Sequence, residues 1–159
     1  MTAARGGPAR KPPLTEIPVT LAALALAAGV ELGLRTLSLP RLAGLVGAPL
    51  ALDAAEAGLA PTSPQGDAQW TLPSAARRRI AATRRVLRHW PFGDSCLRQA
   101  LVSGSLLRRF HPRLQVGVAK VDGEVRAHAW LVIAGSIIDP RRAATSYLPL
   151  TSIPNGLDR

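Results

Sequence analysis

The chain has 159 residues, the size of one ordinary domain, and 47% of them are hydrophobic, enough for a core of Leu, Ala, Val and Ile with few aromatics. Twenty basic against ten acidic residues leave a net charge of +10, which suits nucleic acid, an anionic membrane surface or an acidic protein partner, and equally a plain compositional drift towards Arg. A single cysteine excludes an internal disulfide and a cysteine-rich zinc site, so nothing requires an oxidising compartment and a cytoplasmic location is expected.

Residues 1–14 are small, basic and proline-bearing, and they read as a disordered tail. Residues 15–60 read as an N-terminal helical segment. Its first helix runs from Thr15 to Thr36, with Thr15 as a cap and Pro18 tolerated in the first turn. The apolar run from Val19 to Val30 covers twelve residues before Glu31. A membrane span needs about 20, so a buried or surface-lying helix is expected and membrane association is not. No small-residue cleavage site stands out among the alanines, which speaks against a signal peptide. Ser38-Leu39-Pro40 starts a short second helix that ends near Gly47. These helices carry more apolar surface than a short bundle hides, which makes them a docking face.

Residues 61–73 lie in a stretch rich in Pro, Gly, Ser and Asp and form a linker. Ser74 is expected to cap the next helix, "AARRRIAATRRVLRHW", in which Ile80, Thr83, Leu87 and Trp90 share one face. Six arginines cover the rest. No aromatic platform or nucleic-acid motif is interleaved with them, so a solvated face is the preferred reading and no nucleic acid is expected as partner.

Pro91 stops that helix. Asp94 and Ser95 both suit the cap of another, from Cys96 to Phe110, with Leu97, Ala100, Leu101, Gly104 and Leu107 inward. After His111-Pro112 the periodicity changes. "LQVGVAKV" alternates, Asp122-Gly123 is a strong hairpin signal, "VRAHAWLVI" alternates again, and Ala134-Gly135 turns into "SIID". Helix, helix and a three-stranded antiparallel meander make an α+β fold.

Cys96 sits where that helix begins, beside unpaired N–H groups that favour negative charge on sulfur. It becomes a nucleophile if a base is near. His89 lies in the arginine-rich helix and His111 in a turn. His128 lies inside a strand, where a polar ring needs a reason. A two-residue turn at Asp122-Gly123 sets His128 opposite Gly117, which leaves room for the imidazole and for whatever approaches it. A two-residue turn at Ala134-Gly135 makes Asp139 the diagonal neighbour of His128 on the same face. A three-residue turn puts Asp139 on the opposite face. The first register yields a Cys96, His128, Asp139 triad.

The stretch "WPFGDSCLRQALVSGSLLRRF…LQVGVAKV…AHAWLVIAGSIID" resembles the transglutaminase-like, papain-type cysteine peptidases, and within them the leader peptidase of lasso-peptide biosynthesis. The resemblance covers about residues 90–140. It implies a papain/transglutaminase-like core, in which the helix carrying Cys packs on an antiparallel sheet, over residues 74–159. Cys96 would be the nucleophile, His128 the base and Asp139 the orienter of the imidazole. The substrate implied is the leader region of a ribosomally made precursor peptide, cut from its core upstream of a separate ATP-dependent macrolactam cyclase. Hydrolysis through a thioester needs neither metal nor nucleotide, so no cofactor and no metal site is expected. Leader recognition in this family is done by a small β-rich domain. Residues 15–60 have the wrong periodicity for one, so a separate leader-recognition protein is expected as partner. One departure is Phe110-His111-Pro112, where relatives often close the helix with glycine. An indole N–H of Trp90 is a further candidate donor beside the Cys96 backbone N–H. An acyltransferase of the same superfamily would keep the triad but use an amine acceptor. A basic nucleic-acid- or membrane-binding module would leave Cys96 unreactive.

Overall fold

A computed structural model describes residues 16–51, 72–139 and 141–150. The expected tail over 1–14 and residues 61–71 of the expected linker lie outside the described residues. Among the described residues four α-helices and four strands follow one another: α1 Ile17–Thr36, α2 Leu39–Leu45, α3 Ser74–Arg88, α4 Cys96–Leu106, β1 Arg113–Val121, β2 Glu124–Ile133, β3 Ser136–Ile138 and β4 Leu148–Pro149. The strands form one antiparallel sheet in the order β3-β2-β1-β4. The fold is α+β.

Both hairpins turn on two residues in left-handed conformations, Asp122 and Gly123 at φ 51° and 85°, Ala134 and Gly135 at φ 49° and 76°. Such turns match the strand twist and fix the register. Gly117 therefore pairs with His128, Ile133 with Ser136, and Leu131 with Ile138. The second half of β2 is buried from His128 to Ile133 because both faces of the sheet are covered there. On one face Leu114, Ala129 and Leu131 pack with Leu87, Leu101 and Val102 of the helices. On the other, Trp130 and Val132 pack with Ala51, Ala144 and Tyr147.

Ser95 caps α4 by accepting a hydrogen bond from the Arg98 amide at 3.3 Å. Its inward residues Ala100, Leu101 and Gly104 are buried, and a Cβ on Gly104 would stand 2.6 Å from the Ala48 Cβ. The glycine lets the segment after α2 cross α4 closely. The N-terminal helices share this core: Ala27, Val30, Leu42 and Ala43 lie in the same cluster as Leu101 and Leu114. Glu31 of α1 joins α4 through Arg98, with Nε to Oε2 at 2.8 Å.

Three local expectations are corrected. The α-helix of Cys96 ends at Leu106; Arg108–Phe110 is a separate 3-10 turn closed by His111 at φ 51°. His111 thus takes a left-handed position of the kind that glycine commonly fills. It is the imidazole-bearing exception that αL tolerates, and the following proline cannot continue a helix. Ser74 is the first helical residue of α3 rather than its cap, which falls on Pro73. The meander gains β4, two residues long, paired with β1 at Gly117 and Val118.

Candidate active site

Cys96 opens α4 and is half-buried and unbridged. A narrow crevice of about 10 Å³, room for about one water, separates α4 from the sheet; Cys96, Gln99 and Ser103 line one wall, and Trp130, Ile138 and Asp139 the other. Cys96 makes no hydrogen bond to His128 among the described residues. It shares the crevice with Asp139, which is bonded to that histidine.

His128 and Asp139 meet because the second hairpin has the two-residue turn. The histidine Nε2 lies 2.9 Å from Asp139 Oδ2, and both side chains are almost wholly buried, at 5% and 4% exposure. The imidazole is held from both sides, with ring centroids 5.8 Å from Trp130 and 5.1 Å from Tyr147. Asp139 also collects three backbone amides: Arg141 on Oδ1 at 2.9 Å, and Ala143 and Ala144 on Oδ2 at 2.7 and 2.8 Å. Burial pushes the Asp139 carboxyl up, but the bonds from His128 and from these amides outweigh it and hold the group below its ordinary value.

This donor set fixes the tautomer. An ionised carboxylate can only accept, so the shared proton belongs to Nε2, and a neutral ring then carries its lone pair on Nδ1. Nδ1 makes no hydrogen bond among the described residues. It is the nitrogen left to take a proton from a reacting group.

Residues 33–152 match the transglutaminase-like superfamily. The chain belongs to that superfamily. No curated protein and no solved structure matched it. Members of the transglutaminase-like superfamily usually carry cysteine-based activity, and the single cysteine of this chain stands at the crevice. The match starts at Gly33, in the last turn of α1, so it takes in α2 but not most of α1.

The structure changes the account of several residues around this centre. Gly117 does face His128, but the space above it is filled by Trp130 and β4: a Cβ there would stand 2.7 Å from Trp130 Cη2 and 2.8 Å from the Leu148 carbonyl oxygen. Trp90 is not on the crevice. It lines a groove between α1 and α3 instead, together with the exposed His89. Asp94, read as a helix cap, accepts from the Gln99 side chain, and its backbone carbonyl accepts from the Arg141 guanidinium. Tyr147, Gln99 and Arg141 have no motif that marks them in the sequence. Tyr147 is brought in by β4, and Arg141 by its position two residues after Asp139. Among the described residues no cluster of three His, Cys, Asp or Glu side chains forms a metal site.

Proposed function

We propose that this protein is a cysteine peptidase that removes the leader from a ribosomally made lasso-peptide precursor. The single observation that carries the reading is the buried His128–Asp139 pair, whose accept-only carboxylate leaves the imidazole Nδ1 as the base, and whose Asp139 lines the crevice that also holds Cys96. The quoted motif around Cys96 and "AHAW" supports the choice of substrate.

In this reading His128 Nδ1 takes the Cys96 thiol proton as sulfur attacks the scissile carbonyl between leader and core. The oxyanion forms against the Cys96 backbone N–H, one of the unpaired amides of the first turn of α4. Collapse passes the proton from His128 to the leaving amine and frees the core with a new amino terminus. The leader remains as a thioester on Cys96. Water, deprotonated by the same nitrogen, attacks the thioester; Cys96 leaves as thiolate and regains its proton from His128. Asp139 stays ionised throughout and holds the ring. Every step balances without metal or nucleotide.

The partners that go with this function are the precursor leader, a separate leader-recognition protein, and the ATP-dependent macrolactam cyclase that consumes the freed core. A cytoplasmic setting goes with all three. The test is incubation of the purified protein with a synthetic leader–core precursor, followed by mass spectrometry. Release of both fragments by the wild type, none by Cys96→Ala or His128→Ala, and faster release when the leader-recognition protein is added are the expected results. Transfer of the acyl group to an added amine in preference to water would make the protein an acyltransferase instead.

A further inference from the structure

Helix α1 is apolar on all sides, yet only one side is covered. Between Ile17 and Leu34 its only charged residue is Glu31, which is buried against Arg98. Ala23, Ala27, Val30 and Gly33 face the protein interior. The opposite side exposes Ile17, Leu21, Leu24 and Leu32 at 42, 59, 46 and 65%, with Ala25 and Ala28 exposed between them. Positions 17, 21, 25, 28 and 32 form one stripe along a helix of 3.6 residues per turn, about 22 Å long at 1.5 Å per residue. An uncharged stripe of that length on a soluble face marks a contact surface.

We propose that this stripe rests in the interface of an anionic membrane, with α1 parallel to the bilayer. Charge selects this occupant. The fifteen residues before Glu16 contain Arg5, Arg10 and Lys11 and no carboxylate. Arg35 ends the stripe, and α3, packed beside α1, exposes Arg77, Arg78, Arg84 and Arg88. Between the two helices lies an apolar groove of about 430 Å³, walled by Leu21, Leu24, Val86 and Trp90, with His89 and Arg85 at its rim, the latter ion-paired with Glu16 at 3.1 Å. An apolar floor beside the exposed arginines of α3 matches an acyl chain below an anionic headgroup. A basic segment joined to an apolar helical face supplies the two signals that stable peripheral binding requires. A second copy fits poorly, since each chain carries +10 and the same arginines would face one another. A span across the bilayer fits poorly as well, because Glu31–Arg98 and the core side of α1 tie the helix to α4.

The experiment is flotation of the full chain with vesicles of phosphatidylcholine alone or mixed with phosphatidylglycerol. The wild type is expected to float only with the anionic vesicles and to be partly released as salt rises. Charge alone would bind any folded variant equally, so the deciding comparison is Leu21→Glu with Leu32→Glu. Both side chains are well exposed, and the double variant is expected to keep the wild-type melting curve while its partition falls by about tenfold or more. Arg10→Gln with Lys11→Gln should weaken binding to a lesser degree. Failure of the wild type to float with anionic vesicles, or equal flotation of the double leucine variant, would overturn the proposal. So would a wild-type dimer that this variant makes monomeric, since the stripe would then be a subunit interface.

Discussion

Asp139 is the residue on which most of the site's chemistry depends. Its two oxygens take three backbone amides and one imidazole N–H, a set that suits a carboxylate and no neutral group. In Asp139→Asn one terminal atom becomes an NH₂ that faces donors, so the ring loses its fixed tautomer. Turnover of precursor is expected to fall by up to about ten-thousandfold, short of the complete loss in Cys96→Ala. Wild-type turnover in Asp139→Ala would show that another group orients His128. The same residue sets an acid limit. Its carboxyl lies below the ordinary 3.8 in the folded protein, so it contributes stability above that value and loses it as pH falls through the folded value. Thermal unfolding followed from neutral pH downward should show a decline beginning near pH 4 that is shallower in Asp139→Asn. Parallel curves for the two proteins would remove Asp139 from the acid transition.

At the level of elements, the site depends on how the start of α4 is set against the loop after β3. Arg141 spans that junction: its amide bonds Asp139, and its guanidinium bonds the Asp94 carbonyl two residues before Cys96. In Arg141→Ala the amide remains and the tautomer survives, but the tie between loops is lost. Misplacement of a reacting group by about an ångström costs up to about a hundredfold, so kcat is expected to drop by about tenfold. The melting temperature should barely change, because the side chain is half-exposed and such pairs contribute little, about 1 kcal/mol or less. A loss of stability without loss of kcat would make Arg141 structural only. Gly117→Ala tests the other side: the new methyl meets both the Trp130 ring and the backbone of β4. Destabilisation of about 1–3 kcal/mol by denaturant titration is expected, with activity reduced through the Trp130–His128 stack. The hairpins were legible because Asp-Gly and Ala-Gly between alternating runs admit few turns, and from the turns the His128–Asp139 pair follows by register. The strand β4 was not legible. Two residues show no alternation, and their pairing depends on Gly117 being small enough for close approach. The end of α4 was misplaced because Arg108 to Phe110 keep a helical hydrophobic pattern while the backbone tightens into a 3-10 turn.

For the molecule as a whole, the linker-like composition before Ser74 suggests a boundary that the described core does not respect. Leu42 and Ala43 of α2, Val30 of α1, Leu87 of α3, Leu101 of α4 and Leu114 of β1 belong to one cluster. Glu31 and Arg98 bind α1 to α4, the helix that Cys96 opens, and the hydrogen bond from Arg98 holds the Glu31 carboxyl below its ordinary value. Removing α1 and α2 would therefore expose Leu87, Leu101 and one end of α4 to water and leave Arg98 without its carboxylate. Exposure of this kind costs about 1.5–3 kcal/mol for each large apolar side chain returned to water, comparable in sum with the whole stability of a small domain. The full chain is accordingly expected to unfold in one cooperative transition, with near- and far-ultraviolet circular dichroism coinciding. A fragment of residues 72–159 should show no cooperative melting and no precursor cleavage. Glu31→Gln in the full chain should lower the melting temperature without changing the single transition, since it weakens the α1–α4 tie but leaves the apolar contacts. A fragment that melts cooperatively and retains turnover would mean that α1 and α2 are an appended unit, and that the catalytic half needs only its own residues to fold.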